Sequence, residues 1–144
     1  MRFPLFIELE GQRAVVIGGG TVGTRRAAAL RDFGAAVTLI SPTIQRPLAG
    51  IAHLPRPYRP GDLTGAWLAV AAADDRAVNH AVYEEATALG ILVNVCDCPA
   101  ECGFFFPAIC QGGGIVAGAV SVDNDHRRTA AAAKILRNAL EELP

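Results

Sequence analysis

The chain has 144 residues, of which 51% are hydrophobic and 19% charged, so it carries enough apolar mass for one folded core and is not a disordered chain. Thirteen basic residues against 14 acidic ones leave a net charge of −1, which argues against partners held by a broad basic field, nucleic acid and anionic membrane surfaces among them. No apolar run approaches the ~20 residues of a membrane span, and the opening Met1-Arg2-Phe3-Pro4 lacks the pattern of a secretory leader, so a cytoplasmic protein is expected.

The first half alternates strand and helix signals. Residues 13–17 (RAVVI) form a short β-branched run fit for a buried strand, broken by Gly18-Gly19-Gly20. A helix pattern follows over 21–32, and Gly34 stands where a left-handed helix end is wanted. Residues 36–40 (AVTLI) read as a second buried strand, closed by Ser41-Pro42. The stretch 43–60 is rich in proline and arginine and supports only a short strand within 52–58, since proline suits strand edges and ends. Residues 67–72 (WLAVAA) predict another strand, Asp74-Asp75 can cap a helix over 76–89 that stops at Gly90, and 92–96 (LVNVC) predict the next strand. This order predicts an α/β fold, a Rossmann-like doubly wound parallel sheet.

After Asp97 the texture changes. The apolar run 104–109, the turn Gly112-Gly113-Gly114 and the run 115–122 predict a strand pair outside the sheet, and 127–143 predicts an alanine-rich amphipathic helix. The domains expected are residues 1–103, binding a dinucleotide, and 104–144, a strand-pair-plus-helix extension. Such an extension buries little alone, so we expect it to pack on a second copy of the chain as a homodimer.

Gly18-Gly19-Gly20-Thr21-Val22-Gly23 fits G-x-G-x-x-G in the required context, after a strand and opening a helix. Gly18 would make the tight turn, Gly20 would let a pyrophosphate approach the backbone, and Gly23 would let helix and strand pack closely. The end of the second strand carries Ser41 rather than an acidic residue, and Arg25 and Arg26 lie one turn into the helix, so NAD and NADP both remain open.

Together these residues resemble the dehydrogenase domain of siroheme synthase, the precorrin-2 dehydrogenase and, in some members, sirohydrochlorin ferrochelatase family. The resemblance rests on Phe3-Pro4-Leu5-Phe6, on residues 16–22 with Arg25-Arg26, on residues 34–38, Ser41-Pro42 and Gly61-Asp62-Leu63, and on residues 71–75 with Val78-Asn79. Its most specific part is Val93-Asn94-Val95-Cys96-Asp97 with Pro99, Cys102, Phe104 and Pro107-Ala108. It implies NAD as cofactor, precorrin-2 as the tetrapyrrole substrate, and oxidation to sirohydrochlorin on the siroheme route. It implies Asp97 as the catalytic acid/base, at a strand end where open α/β sheets bind ligands. It also implies cofactor contacts from Ser41, Pro42, Ala72, Ala73, Asp74 and Asn79 beside the glycine-rich loop. A threonine is usual in the family where Ala73 stands.

A polycarboxylate substrate calls for basic partners, and His126, Arg127 and Arg128 before the last helix are the candidates, with a solvated helix start as the plainer reading. Here the chain departs from the family: Val122 to Arg128 replaces a serine- and glycine-rich stretch, which weakens the expectation of ferrochelatase activity most. The four cysteines, Cys96, Cys98, Cys102 and Cys110, lack the paired spacing of zinc sites, so no metal site is expected. His53 and His80 have no partner nearby in sequence and are expected at the surface. A non-catalytic NAD(H)-binding module, a redox sensor or partner of another tetrapyrrole enzyme, is the alternative, and a metal-handling protein built on the cysteines a third.

Overall fold

A computed structural model describes residues 2–143 and divides them into two compact units. One spans residues 8–104; the other joins residues 2–7 to 105–143. The sequence reading set its boundary one residue earlier and gave it to a continuous chain, whereas the second unit is made from both ends.

The first unit is a five-stranded parallel sheet. Its elements in order are β1 (Arg13–Ile17), α1 (Thr21–Asp32), β2 (Ala36–Ile40), β3 (Ala52–Leu54), β4 (Leu68–Ala71), α2 (Arg76–Leu89), β5 (Leu92–Val95) and a 3-10 turn (Pro99–Glu101). The strands lie in the order β3-β2-β1-β4-β5, so the chain winds outward one way from β1 and then the other way from β4. Pairing is in register from Arg13↔Ala36 to Ile17↔Ile40 on one side and from Ala14↔Leu68 to Ile17↔Ala71 on the other. The carboxyl ends of β1, β2 and β4 therefore come level where the strand order reverses, the place at which open α/β sheets form a crevice.

Local chemistry explains the element ends. Gly34 closes α1 at φ +88°, its N–H donating to the Arg31 carbonyl, and Gly90 closes α2 in the left-handed region. The proline-bounded strand stops at Leu54, because Pro55 and Pro57 cannot extend a ladder. β1 and β4 are central and buried on both faces, which is why they read as unbroken apolar runs. The core unites Val15, Ile17, Ile40 and the β4 and β5 side chains with Val82 and Ala86 of α2. Leu63, from the turn before β4, is fully buried in the same cluster.

The second unit holds β6 (Ala108–Gly112), β7 (Ile115–Ala119) and α3 (His126–Glu141). The hairpin turns on Gly113 and Gly114, both at positive φ, the conformation a two-residue turn of the right twist requires. The strands are shifted from their predicted spans. β6 starts only after Pro107, which has no N–H to offer, and β7 ends at Ala119, opposite the last paired residue, Ala108. Cys110, Ala133 and Leu140 form this unit's small core. Phe3, Leu5, Phe6, Val122 and Ile135, all within it, stay exposed. Among the described residues no helix is long and apolar enough to cross a membrane.

Leu63→Ala should cost about 2–5 kcal/mol of stability, because the vacated space lies inside the main core and cannot fill with water at no cost. Urea unfolding of the variant beside the parent protein measures it.

Candidate functional site

A cleft of about 560 Å³ opens at the reversal of strand order, within the first unit. Its floor is the glycine-rich loop Gly18-Gly19-Gly20, one wall is Ser41 to Gln45 after β2, and the other is Ala72 to Asp75 after β4. Pro57 and Tyr58 complete it. The volume falls within the usual range for small-molecule sites.

The loop cannot be built from other residues. Gly18 sits at φ +110°, and a Cβ there would run into the Ala72 carbonyl, so neither backbone nor space admits a side chain. A Cβ on Gly23 would strike the Gly18 carbonyl, which is how α1 comes to lie so close to β1 and β4. Gly20 differs: nothing lies within 4 Å of where its Cβ would stand, so open space faces that residue. Gly20 is also the N-cap of α1, with no side-chain cap and no acidic residue in the first turn. The N–H groups of that turn are thus left for an outside acceptor, which fits an anion such as a dinucleotide's pyrophosphate. Helix α2 shows the contrast, its start being closed by Asp75, which accepts the Ala77 N–H at 2.8 Å.

Other expected cofactor residues divide by position. Gly19, Ser41, Pro42, Ala72, Ala73 and Asp74 line the cleft. Val22 points outward and Thr21 bonds the Gln45 side chain at 3.0 Å, while the Gln45 N–H donates to the Gly19 carbonyl, so the chain after β2 is laced to the phosphate loop. Asn79, expected at the cofactor, is fully buried instead. Its Oδ1 accepts the Ala73 N–H at 2.9 Å, and its Nδ2 donates to the Ala73 carbonyl at 2.9 Å and to Asp97 Oδ2 at 3.0 Å. Of the basic pair considered for a phosphate, Arg25 is exposed and Arg26 lies against the Cys96 thiol; burial pushes that thiol above its ordinary range, against the pull of the arginine.

Asp97 follows β5, its side chain 37% exposed. Besides Asn79 it has Arg76, whose guanidinium lies 3.5 Å from Oδ1. Arg76 also donates to Glu101, and His80 Nδ1 lies 2.9 Å from the same Glu101 oxygen. Arg76 chiefly, with His80, holds the Glu101 carboxyl below the usual carboxylate range. The sequence reading missed this cluster, although Arg76, Asn79 and His80 are spaced i, i+3, i+4 on one helix face. His80 lies at the surface as expected, but with partners, Glu84 one turn on in the helix and Glu101, and His53 is half-buried with Nε2 2.9 Å from the Ser41 carbonyl.

Tyr58 was also missed. It donates to Glu85, whose other oxygen accepts the Gly61 and Leu63 N–H groups. Burial, then Glu85, push its hydroxyl above the ordinary range, and the hydrogen bond to Glu85 fixes this part of the cleft wall. The same segment is pinned by Arg56, bidentate on Asp62 at 2.7 and 2.8 Å.

His126, Arg127 and Arg128 open α3 in the second unit, where Arg128 pairs with Asp123 at 3.0 Å and the cap residue Asp125 accepts its N–H. All four cysteines are free thiols. Cys102 Sγ accepts the Val95 N–H and donates to the Val95 carbonyl, and Cys110 Sγ lies 3.4 Å from the Ala133 carbonyl. Among the described residues no three His, Cys, Asp or Glu side chains converge as a metal site.

The Arg56 partner holds the Asp62 carboxyl below its ordinary value, so its stabilisation is present above the unfolded carboxylate range and lost as pH falls through the lower folded value. Asp62→Asn should be less stable than the parent at neutral pH, and the gap should close as the pH is taken below the ordinary carboxylate range. Melting temperatures taken from neutral to acid pH for both proteins check this.

Comparison with known proteins agrees with this architecture. The sequence profile of a family described as "Putative NAD(P)-binding" matches residues 5–108. A probable multifunctional siroheme biosynthesis protein, HemA, of Ruminiclostridium josui is 41% identical over 131 residues, covering 87% of this chain and 25% of its own length. A siroheme synthase of Pseudomonas putida (strain W619) is 43% identical over 112 residues, covering 74% of this chain and 24% of its own. One of Psychrobacter cryohalolentis is 36% identical over 98% of this chain and 27% of its own. The chain thus spans about a quarter of the length of these curated relatives. Among solved structures, SirC, a precorrin-2 dehydrogenase, shares the fold with a TM-score of 0.76 at 23% identity, over 98% of this chain and 72% of that one. A matched span that takes in the whole parallel sheet and its glycine-rich loop places the chain in this NAD(P)-binding family.

Proposed function

We propose that this chain oxidises precorrin-2 to sirohydrochlorin in siroheme biosynthesis, as an NAD-dependent dehydrogenase acting as a cytoplasmic homodimer. The observation that carries the reading is the placement of Asp97. Through one buried amide, Asn79, it is tied to Ala73 on the lip of the nucleotide cleft. Removing two hydrogens from a reduced tetrapyrrole sends one off as hydride and one as a proton. A nicotinamide dinucleotide, when bound, supplies the hydride acceptor. Asp97 takes the proton: Asn79 holds its Oδ2, and Oδ1, which faces the Arg76 guanidinium at 3.5 Å without a hydrogen bond, is the oxygen that receives it from a reacting C–H or N–H. Gly18, Gly20 and the uncapped start of α1 receive the pyrophosphate, and Ser41 and Pro42 border the adenosine half. The relatives named for siroheme biosynthesis and siroheme synthase, and the dehydrogenase of the same fold, support this reaction class over a non-catalytic nucleotide sensor. The exposed Phe3, Phe6, Val122 and Ile135 support self-association.

Asp97→Ala should lower kcat for anaerobic conversion of precorrin-2 with NAD by about 10²–10⁴-fold, with NAD affinity retained. Absorbance of sirohydrochlorin and of NADH follows it, and an unchanged rate would remove Asp97 from the chemistry. Gly20→Asp separates binding from folding. The residue stands at φ −74° in open space, and aspartate is a good N-cap, so thermal stability should hold or rise slightly. The new carboxylate takes the anion's place and repels it, so NAD affinity should fall at least about tenfold in calorimetric titration.

A further inference from the structure

We infer that Arg76 is a positioning residue for Asp97, held to that task by Glu101 and His80. The inference rests on the reading of Asp97 as the proton acceptor and extends it to residues that reading does not need.

Two oxygens of Asp97 have two neighbours from one helix. Asn79 donates to Oδ2 at 3.0 Å, and the Arg76 guanidinium stands 3.5 Å from Oδ1, too long for a hydrogen bond and near enough to be attractive. Arg76 precedes Asn79 by three residues, so both reach the end of β5 from the same face of α2. A half-exposed arginine would ordinarily wander and contribute little. This one is restrained, since its guanidinium also donates to Glu101, a carboxylate only 14% exposed that comes from the 3-10 turn just after Asp97. His80, four residues on from Arg76, meets the same Glu101 oxygen at 2.9 Å. Glu101 is thereby a bridge: it ties the turn that carries Asp97 to the helix that carries Arg76. The guanidinium faces Asp97 on one edge and Glu101 on the other, and so limits rotation of the Asp97 carboxylate about its Asn79 hydrogen bond. Oδ1 is thereby held on the Arg76 side of the carboxylate while Asn79 holds Oδ2, which fixes the direction from which Oδ1 accepts the proton.

Arg76 could instead grip a carboxylate of the tetrapyrrole directly, and a mutant cycle distinguishes the two. Wild type, Arg76→Ala, Asp97→Ala and the double variant are compared in anaerobic precorrin-2 turnover with NAD, beside Arg76→Lys and Glu101→Gln. A positioning role predicts that Arg76→Ala lowers kcat by about 10- to 100-fold while KM for precorrin-2 stays within about twofold. It predicts no further loss from Arg76→Ala once Asp97 is alanine, partial rescue by Arg76→Lys, and an intermediate loss for Glu101→Gln. A raised KM at unchanged kcat, or a loss that adds in full on the Asp97→Ala background, overturns it. If the wild-type protein turns over no precorrin-2, the proposed reaction fails separately, and thermal melts of the same four proteins decide the positioning claim. Melting-temperature changes at positions 76 and 97 that fall short of additivity support it, and additive changes overturn it.

Discussion

Asn79 is the side chain on which the functional end of the sheet depends. It is a polar group with no exposure to water, and burying an amide costs stability unless its donors and acceptor are all engaged. Its acceptor takes the Ala73 N–H, and its two-proton donor serves the Ala73 carbonyl and Asp97. One side chain thus closes both backbone groups of the residue where β4 gives way to the cleft. It also orients the acidic residue where β5 ends. Neither loop has secondary structure of its own at that point, so the amide does for them what a ladder does inside the sheet.

The two helices of the first unit are started in opposite ways, and the difference separates binding from support. Helix α2 is sealed by Asp75, which uses up a free N–H and places a carboxylate at its start. Helix α1 begins at a glycine with nothing in that role, beside a loop whose own glycines admit the backbone turn and the close approach of strand and helix. An uncapped helix start is a defect in a protein that binds nothing. At the mouth of a cleft its free N–H groups suit an anion, which is what the proposed dinucleotide would bring. The walls are stiff in comparison: Tyr58 is anchored on Glu85, and the segment bearing it on the Arg56–Asp62 pair.

Much of this was legible because it is local. Gly18, Gly20 and Gly23 announce themselves by spacing between a strand and a helix, whereas Asp97 stands out only through the family resemblance, its place after an apolar run being equally that of a turn residue. Asn79 was picked out, but as a ligand contact or an exposed residue; only its neighbours in space make it a buried clamp. Arg76, Glu101 and Tyr58 were passed over for the same cause. A charge or a hydroxyl carries no meaning in a sequence until its partner is known, and Glu101 and Glu85 stand 25 and 27 residues from theirs.

What the sequence determined by itself is the succession of strands and helices, the doubly wound sheet and the glycine-rich loop between β1 and α1. Each is written in short-range terms, hydrophobic period, caps and glycine positions, that a chain must obey wherever it folds. The tertiary structure decided the strand limits of the hairpin, set by which residues found a partner, and the joining of residues 2–7 to residues 105–143. It also decided the wiring of the candidate site, because hydrogen bonds and ion pairs are made between groups that only folding brings within 3 or 4 Å of each other.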